Sequence, residues 1–171
     1  MTETLHEIDG EPTTAFTREA GVVELRTLHE RDAAIVRVEI AQAELKDAIG
    51  VALREIADAG REAAVAWAGP PFVRYLSWGG PRLVAEVGVP VTRPMPHLGR
   101  VESGRLPGGT VASIIHVGPY ETIAATYGQA MQRIGELGHA PTGPMWEVYW
   151  SDPSAEPDPS TWRTEILIPV S

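Results

Sequence analysis

No cysteine occurs among the 171 residues. Disulfide scaffolds, thiolate metal sites and cysteine nucleophiles are therefore excluded. Lysine is almost missing too: of 14 basic residues only Lys46 is a lysine, against 23 acidic ones, and the formal net charge is −9. A surface this acidic repels phosphate backbones, so nucleic acid is not an expected partner and cationic or neutral ligands are favoured. No apolar run reaches the roughly 18 residues a membrane helix needs, and no basic-then-apolar signal pattern opens the chain. Neither a membrane nor export is expected, which leaves the cytosol as the default compartment. Metal-binding spacings such as HExxH, a phosphate-cradling glycine loop and a GxSxG elbow are all missing, so no metal or cofactor is expected.

What is present suffices for a core: 43% of the residues are hydrophobic, close to the usual share for a globular domain. Alanine, glycine, proline and arginine dominate, a bias resembling high-GC bacterial coding such as that of actinobacteria.

An internal repeat organises the chain, and periods of this kind decide a fold before any local reading does. Ala33–Gly60 aligns without gaps on Val111–Gly138 at an offset of 78, so that Gly50 meets Gly128, Ile56 meets Ile134 and Gly60 meets Gly138. Further on, Gly69-Pro-Pro-Phe-Val-Arg-Tyr75 matches Gly143-Pro-Met-Trp-Glu-Val-Tyr149, and Glu86-Val-Gly-Val-Pro90 matches Glu165-Ile-Leu-Ile-Pro169. Three blocks in the same order mark a duplication, with halves at about 22–92 and 100–170 in a domain over 21–171. The polar stretch 1–20 reads as a loose arm.

Each half predicts the same elements. An opening strand (Val22–Leu28; Val101–Leu106) leads to a second strand, Ala33–Glu39 or Thr110–Val117. A helix follows at about Glu44–Ala59 or Glu121–Leu137, with Leu45, Ile49, Ala52, Leu53 and Ile56, or Ile123, Tyr127, Ala130, Met131 and Ile134, at helical spacing. Gly60 and Gly138 stand where a helix C-terminal glycine belongs. Two strands close each half: Phe72–Trp78 with Leu83–Val91, then Met145–Trp150 with Trp162–Val170. The expected class is α+β: two pseudo-twofold-related strand-helix-strand-strand units, each an antiparallel sheet with one long helix. A helix with one apolar stripe covers one face of its sheet, so the remaining faces are expected to form a ligand cleft between the halves.

Glu147 is the leading candidate site residue. Strand period two places it with Tyr149 on one face and Trp146, Val148 and Trp150 on the other. Its repeat mate is Val73, and duplicated scaffolds diverge where one copy works. A carboxylate among aromatics is paired with a cation or has a raised pKa, and either is useful. A solvated surface glutamate is the plain alternative. Tyr75 and Tyr149, themselves repeat mates, offer aromatic walls that attract cations, and Phe72, Trp146, His116 and Tyr120 complete the candidate ligand-binding set. For His116 a satisfied strand histidine is the plainer account, for Glu121 a helix-start charge, and for Glu165 an arginine partner.

His116-Val-Gly-Pro-Tyr-Glu121, Gly143-Pro-Met-Trp-Glu-Val-Tyr149 and Thr164-Glu-Ile-Leu-Ile-Pro169 together resemble the GyrI-like small-molecule-binding family, over about Val22–Val170. The resemblance implies two such units with a ligand cleft. It also implies that the strand glutamate matching Glu147 contacts cationic aromatic drugs, with the aromatics matching Tyr75 and Tyr149 lining the pocket. Family members include ligand-sensing parts of regulators, gyrase inhibitors or drug-sequestering proteins, and hydrolases that open the cyclopropane of DNA-alkylating natural products. The family also looks distantly like haem-binding SOUL proteins, although no axial ligand stands out here. The expectation is a standalone multidrug-binding protein for hydrophobic, often cationic aromatic compounds. The alternative is a cyclopropanoid hydrolase with Glu147 as general base and Tyr149 or Tyr75 as proton donor. Gyrase inhibition through an acidic face ranks third.

Overall fold

The structure is a computed structural model that describes residues 18–171. The arm expected over 1–20 lies, up to residue 17, outside the described residues. Eight strands and two α-helices form two compact units, residues 30–107 and residues 108–171 with the segment ending at His29.

In the first unit, β2 (Arg31–Ile40), β3 (Phe72–Ser77), β4 (Leu83–Pro90) and β5 (Glu102–Leu106) make an antiparallel sheet in the order β3-β4-β2-β5. Strand β2 buries Ala33 to Val36 on both faces and alternates only towards its end, where Val38 is buried and Arg37 and Glu39 are exposed. Helix α1 (Leu45–Ala63) closes the unit and buries Ala52, Ile56, Ala59 and Gly60, one stripe at helical spacing.

In the second unit, β1 (Glu24–Leu28), β6 (Gly109–Val117), β7 (Trp146–Tyr149) and β8 (Arg163–Pro169) pair antiparallel in the order β1-β6-β8-β7. Helix α2 (Ile123–Glu136) lays Ala130 and Ile134 on Ala112, Ile114, Ile166 and Ile168 of this sheet. Among the described residues no helix is long and apolar enough to cross a membrane.

Two features depart from the sequence reading. The opening strand of each repeat pairs with the other repeat: β1 lies on β6, with Leu28 opposite Gly109, and β5 lies on β2, with Leu106 opposite Arg31. Only two residues, His29 and Glu30, separate β1 from β2, so the chain passes from one unit to the other without a hairpin. The second departure concerns Gly60, which lies inside α1. The helix runs one turn further and ends in a left-handed cap at Ala64 (φ 54°).

Both helices nevertheless end in one motif. Val65 N–H donates to Gly60 O (2.9 Å) and Ala64 N–H to Arg61 O (3.3 Å), while His139 N–H donates to Ile134 O and Gly138 N–H to Gly135 O, both 3.0 Å. These are paired Schellman bonds, with Ala64 and Gly138 as the residues just past each helix. Their offset is 74, the same as for the following Gly69 and Gly143 blocks, whereas the helices align at 78. The four-residue difference between the repeats is this extra turn of α1.

Candidate functional site

Glu147 leaves β7 opposite Ile166 of β8, which belongs to the core packed against α2. The glutamate therefore points beneath the helix, on the covered face of its sheet and not on the uncovered face where a cleft was expected. Period two predicted its companion residue but not which face the helix would take.

The carboxylate is only 7% exposed, and both oxygens accept phenol hydrogen bonds. Tyr127 on α2 donates Oη–H to Oε1 at 2.6 Å, and Tyr149, two residues along the strand, donates to Oε2 at 2.7 Å. Hydrogen bonds to a charged acceptor are the strong ones, about twice a neutral pair. Beyond Tyr149 the aromatics continue: the Tyr120 ring meets it edge-on at 5.7 Å and lies 5.0 Å from Trp162. Burial, and then the negative charges of Glu147 and Asp152, hold the Tyr120 phenol above its ordinary pKa. At neutral pH it is therefore a protonated phenol beside a negative centre.

His116 fixes the turn that carries Tyr120. Its Nδ1 is 2.7 Å from Thr126 Oγ1 on α2, and its Nε2 is 3.0 Å from Pro119 O. A carbonyl only accepts, so the geometry assigns the proton to Nε2, leaving Nδ1 to accept from Thr126. Thr122 Oγ1 also donates to Pro119 O, at 2.9 Å, and Gly118 N–H donates to Trp162 O at 2.9 Å. Gly118 has φ +133°, a conformation L side chains rarely adopt. Both rings of the Tyr120–Trp162 pair are thus tied to one turn.

Of the residues expected in the site, Glu147, Tyr149 and Tyr120 come together, and His116 supports them from behind. Trp146, 2% exposed, points to the opposite face of the same strand, across from Leu167. Tyr75 and Phe72 belong to the other unit. There Tyr75 shares a face with Val73, cross-strand from Ala85. Phe72, 1% exposed, lies over Gly88, where an added Cβ would come within 2.5 Å of its ring. Tyr127, Thr126 and Trp162 were missed. A tyrosine in an apolar helical stripe reads as core, and only its lone hydroxyl hinted otherwise.

Glu165 has the arginine partnership expected of it, on the back of the sheet. Its Oε1 accepts from Arg18 Nη1 (2.7 Å), from Arg26 Nη1 and from Ser113 Oγ (2.6 Å), and its Oε2 accepts from Trp150 Nε1 (3.0 Å). Its repeat mate Glu86 pairs with Arg74. Among the described residues no group of three or more histidines and carboxylates could hold a metal ion.

A family model described as the GyrI-like small molecule binding domain matches residues 23–171. The chain belongs to the GyrI-like family. Solved structures share the fold at low identity. The EcmrR–DNA complex matches with a TM-score of 0.77 and 20% identity over 88% of this chain, which spans 57% of the EcmrR chain. The EcmrR C-terminal domain alone gives 0.75 and 22%, over 88% of this chain and 97% of that domain. A hydrolase from Listeria innocua matches at 0.66 and 17%, covering 92% and 96% of the two chains. SAV2435 bound to tetraphenylphosphonium matches at 0.62 and 11%, covering 88% and 94%. No curated protein matches. The GyrI-like fold thus brings small-molecule binding with it as the family's description, and the ligand has to be argued from the site.

Proposed function

We propose that this GyrI-like domain binds hydrophobic aromatic cations at Glu147, with Tyr120 and Trp162 as the stacking wall. The observation that carries this reading is a nearly buried carboxylate held by two phenols and flanked by a run of aromatic rings. A buried negative charge gains most from a ligand that supplies a diffuse positive charge without a costly hydration shell. The chain's −9 charge draws cations toward it and disfavours nucleic acid. It is also compatible with a cytosolic drug-binding role. One neighbour in fold, SAV2435, is bound to such a cation, tetraphenylphosphonium. Binding titrations with ethidium and tetraphenylphosphonium test the reading: micromolar binding that is lost in Glu147→Gln supports it, and no binding by the native protein ends it.

A second reading rests on the 2.7 Å contact between Tyr149 Oη and Glu147 Oε2. A carboxylate and a phenol this close can act as base and acid in hydrolytic opening of a cyclopropane conjugated to a carbonyl. Glu147 would take a proton from water as the new C–O bond forms. The strained C–C bond breaks, its electron pair passes to the carbonyl oxygen, and Tyr149 donates a proton there. Positioned acid–base catalysis is worth roughly 10²–10⁴-fold. Recovery of the water adduct from a cyclopropanoid substrate, abolished in Glu147→Gln, would favour this reading over simple binding.

A further inference from the structure

The duplication supplies an internal control for the Glu147 site. On the core face of the second unit, His116, Thr164 and Tyr149 form one cross-strand row, and Ile114, Ile166 and Glu147 form the next. The same rows in the other unit read Val38, Ala85 and Tyr75, then Val36, Val87 and Val73, in the same register. On the helices, Thr126 and Tyr127 stand where the first repeat has Ala48 and Ile49. One sheet-and-helix unit therefore folds with apolar residues where the other carries His116, Thr164, Glu147, Thr126 and Tyr127. The fold does not require those polar groups.

Four of the five have partners. His116 bonds Thr126 and Pro119, and Tyr127 bonds Glu147. Thr164 does not: its side chain is 0% exposed, and its Oγ1 has no hydrogen-bond partner. A buried hydroxyl without a partner is destabilising, and native structures hold few of them. Here the first repeat shows that alanine fits the same register position. The hydroxyl lies between the His116 and Tyr149 strands, one row from Glu147.

The donors around it are committed. The Tyr127 and Tyr149 hydroxyls donate to Glu147, and His116 Nε2–H points at Pro119 O. Among the described residues, the Thr164 O–H is the fully buried hydroxyl in this part of the site that no acceptor holds. We propose that Thr164 is a specificity-determining residue of the Glu147 site, whose hydroxyl donates to an acceptor oxygen on the ligand when the Tyr149 ring turns aside. This rests on the binding function proposed above and narrows it. The preferred ligand is an aromatic cation that carries an ether or carbonyl oxygen at its ring edge: Glu147 takes the charge, Tyr120 and Trp162 the ring, and Thr164 the oxygen.

The test uses the full chain and two probes, tetraphenylphosphonium, which has no oxygen, and berberine, whose ring edges carry ether oxygens. Thr164→Val is isosteric and removes only the hydroxyl. The variant is expected to melt about 2–4 °C higher, because an unpaired buried group is gone. It is expected to bind berberine roughly 3–10-fold more weakly, the worth of one neutral hydrogen bond, and tetraphenylphosphonium as the native protein does. Thr164→Ser keeps the hydroxyl and should bind berberine normally. Unchanged affinity for both probes in Thr164→Val would overturn the assignment alone. So would a lower melting temperature with both affinities reduced alike, since the hydroxyl would then be a structural group. Native protein that binds tetraphenylphosphonium but not berberine also overturns it, and native protein that binds neither removes the binding function on which it rests.

Discussion

Two helices that end in the same motif with different residues allow a stability prediction worked from geometry. Ala64 adopts φ 54°, ψ 43° just past α1, in the left-handed region, where an L residue with a Cβ is strained by roughly 1–2 kcal/mol. Gly138 holds the matching place after α2 with φ +78°, and a Cβ added there would meet nothing within 4 Å. Ala64 is exposed, so its methyl contributes little packing. Ala64→Gly relieves the strain but loosens the unfolded chain by about 0.4–1 kcal/mol. The net gain is about 0.5–1 kcal/mol, or about 1–4 °C in Tm for a chain of this size. Gly138→Ala should lose a similar amount, with no clash to contribute. Urea unfolding of the two single variants and the double variant checks both signs, and the double should return near the native value because the sites are independent. Arg93 Nη2 donates to Ala63 O (2.7 Å) and Ala64 O (3.1 Å) in either case, so the cap itself survives. A destabilised Ala64→Gly would refute the reasoning, because the left-handed cap would then cost nothing to alanine.

Other outcomes follow from the site and its support. The Tyr120 phenol should titrate above its ordinary value in ultraviolet absorbance, and Glu147→Gln or Asp152→Asn should bring it down, since both charges raise it. Because the folded value is the higher one, the stability Tyr120 contributes is complete below about pH 10. It is lost as the pH rises through the folded value, a loss that Tyr120→Phe should abolish in alkaline melts. Glu165→Gln takes the carboxylate partner from buried Arg26 and leaves Arg18 with Glu24 alone; urea unfolding should show a loss of about 3–5 kcal/mol. His116→Phe strips Pro119 O and Thr126 of a partner and should loosen the Tyr120 turn, read as a change in Trp162 fluorescence with about 1–3 kcal/mol of stability lost.

The repeat made the fold legible, because aligned blocks fix the order strand, strand, helix, strand, strand twice over, and helical and strand periods then place each element within a few residues. Pairing partners were less legible. Nothing in the alternation of β1 or β5 says that each joins the other repeat's sheet, since register is settled by contacts far apart in sequence. Gly60 misled for a local reason. A glycine near a helix end reads as a cap, yet here it lies four residues inside, where a Cβ would come 3.1 Å from Val65 O. The candidate site was half legible. Divergence between repeat mates singled out Glu147, and period two gave Tyr149. Tyr127 and Trp162 were hidden because aromatics in an apolar stripe or opening a strand look like core. Phe72 and Trp146 look like pocket walls in sequence but lie on the far faces of their strands.

Glu147 is the charge proposed to recognise the ligand. Isothermal titration of tetraphenylphosphonium into the native protein and into Glu147→Gln tests it most directly, with melting curves to show that both are folded. Micromolar binding that falls by an order of magnitude or more in Glu147→Gln, at unchanged fold, is the predicted result. Equal affinity in the two proteins would contradict the account, because the buried carboxylate would then take no part in recognition.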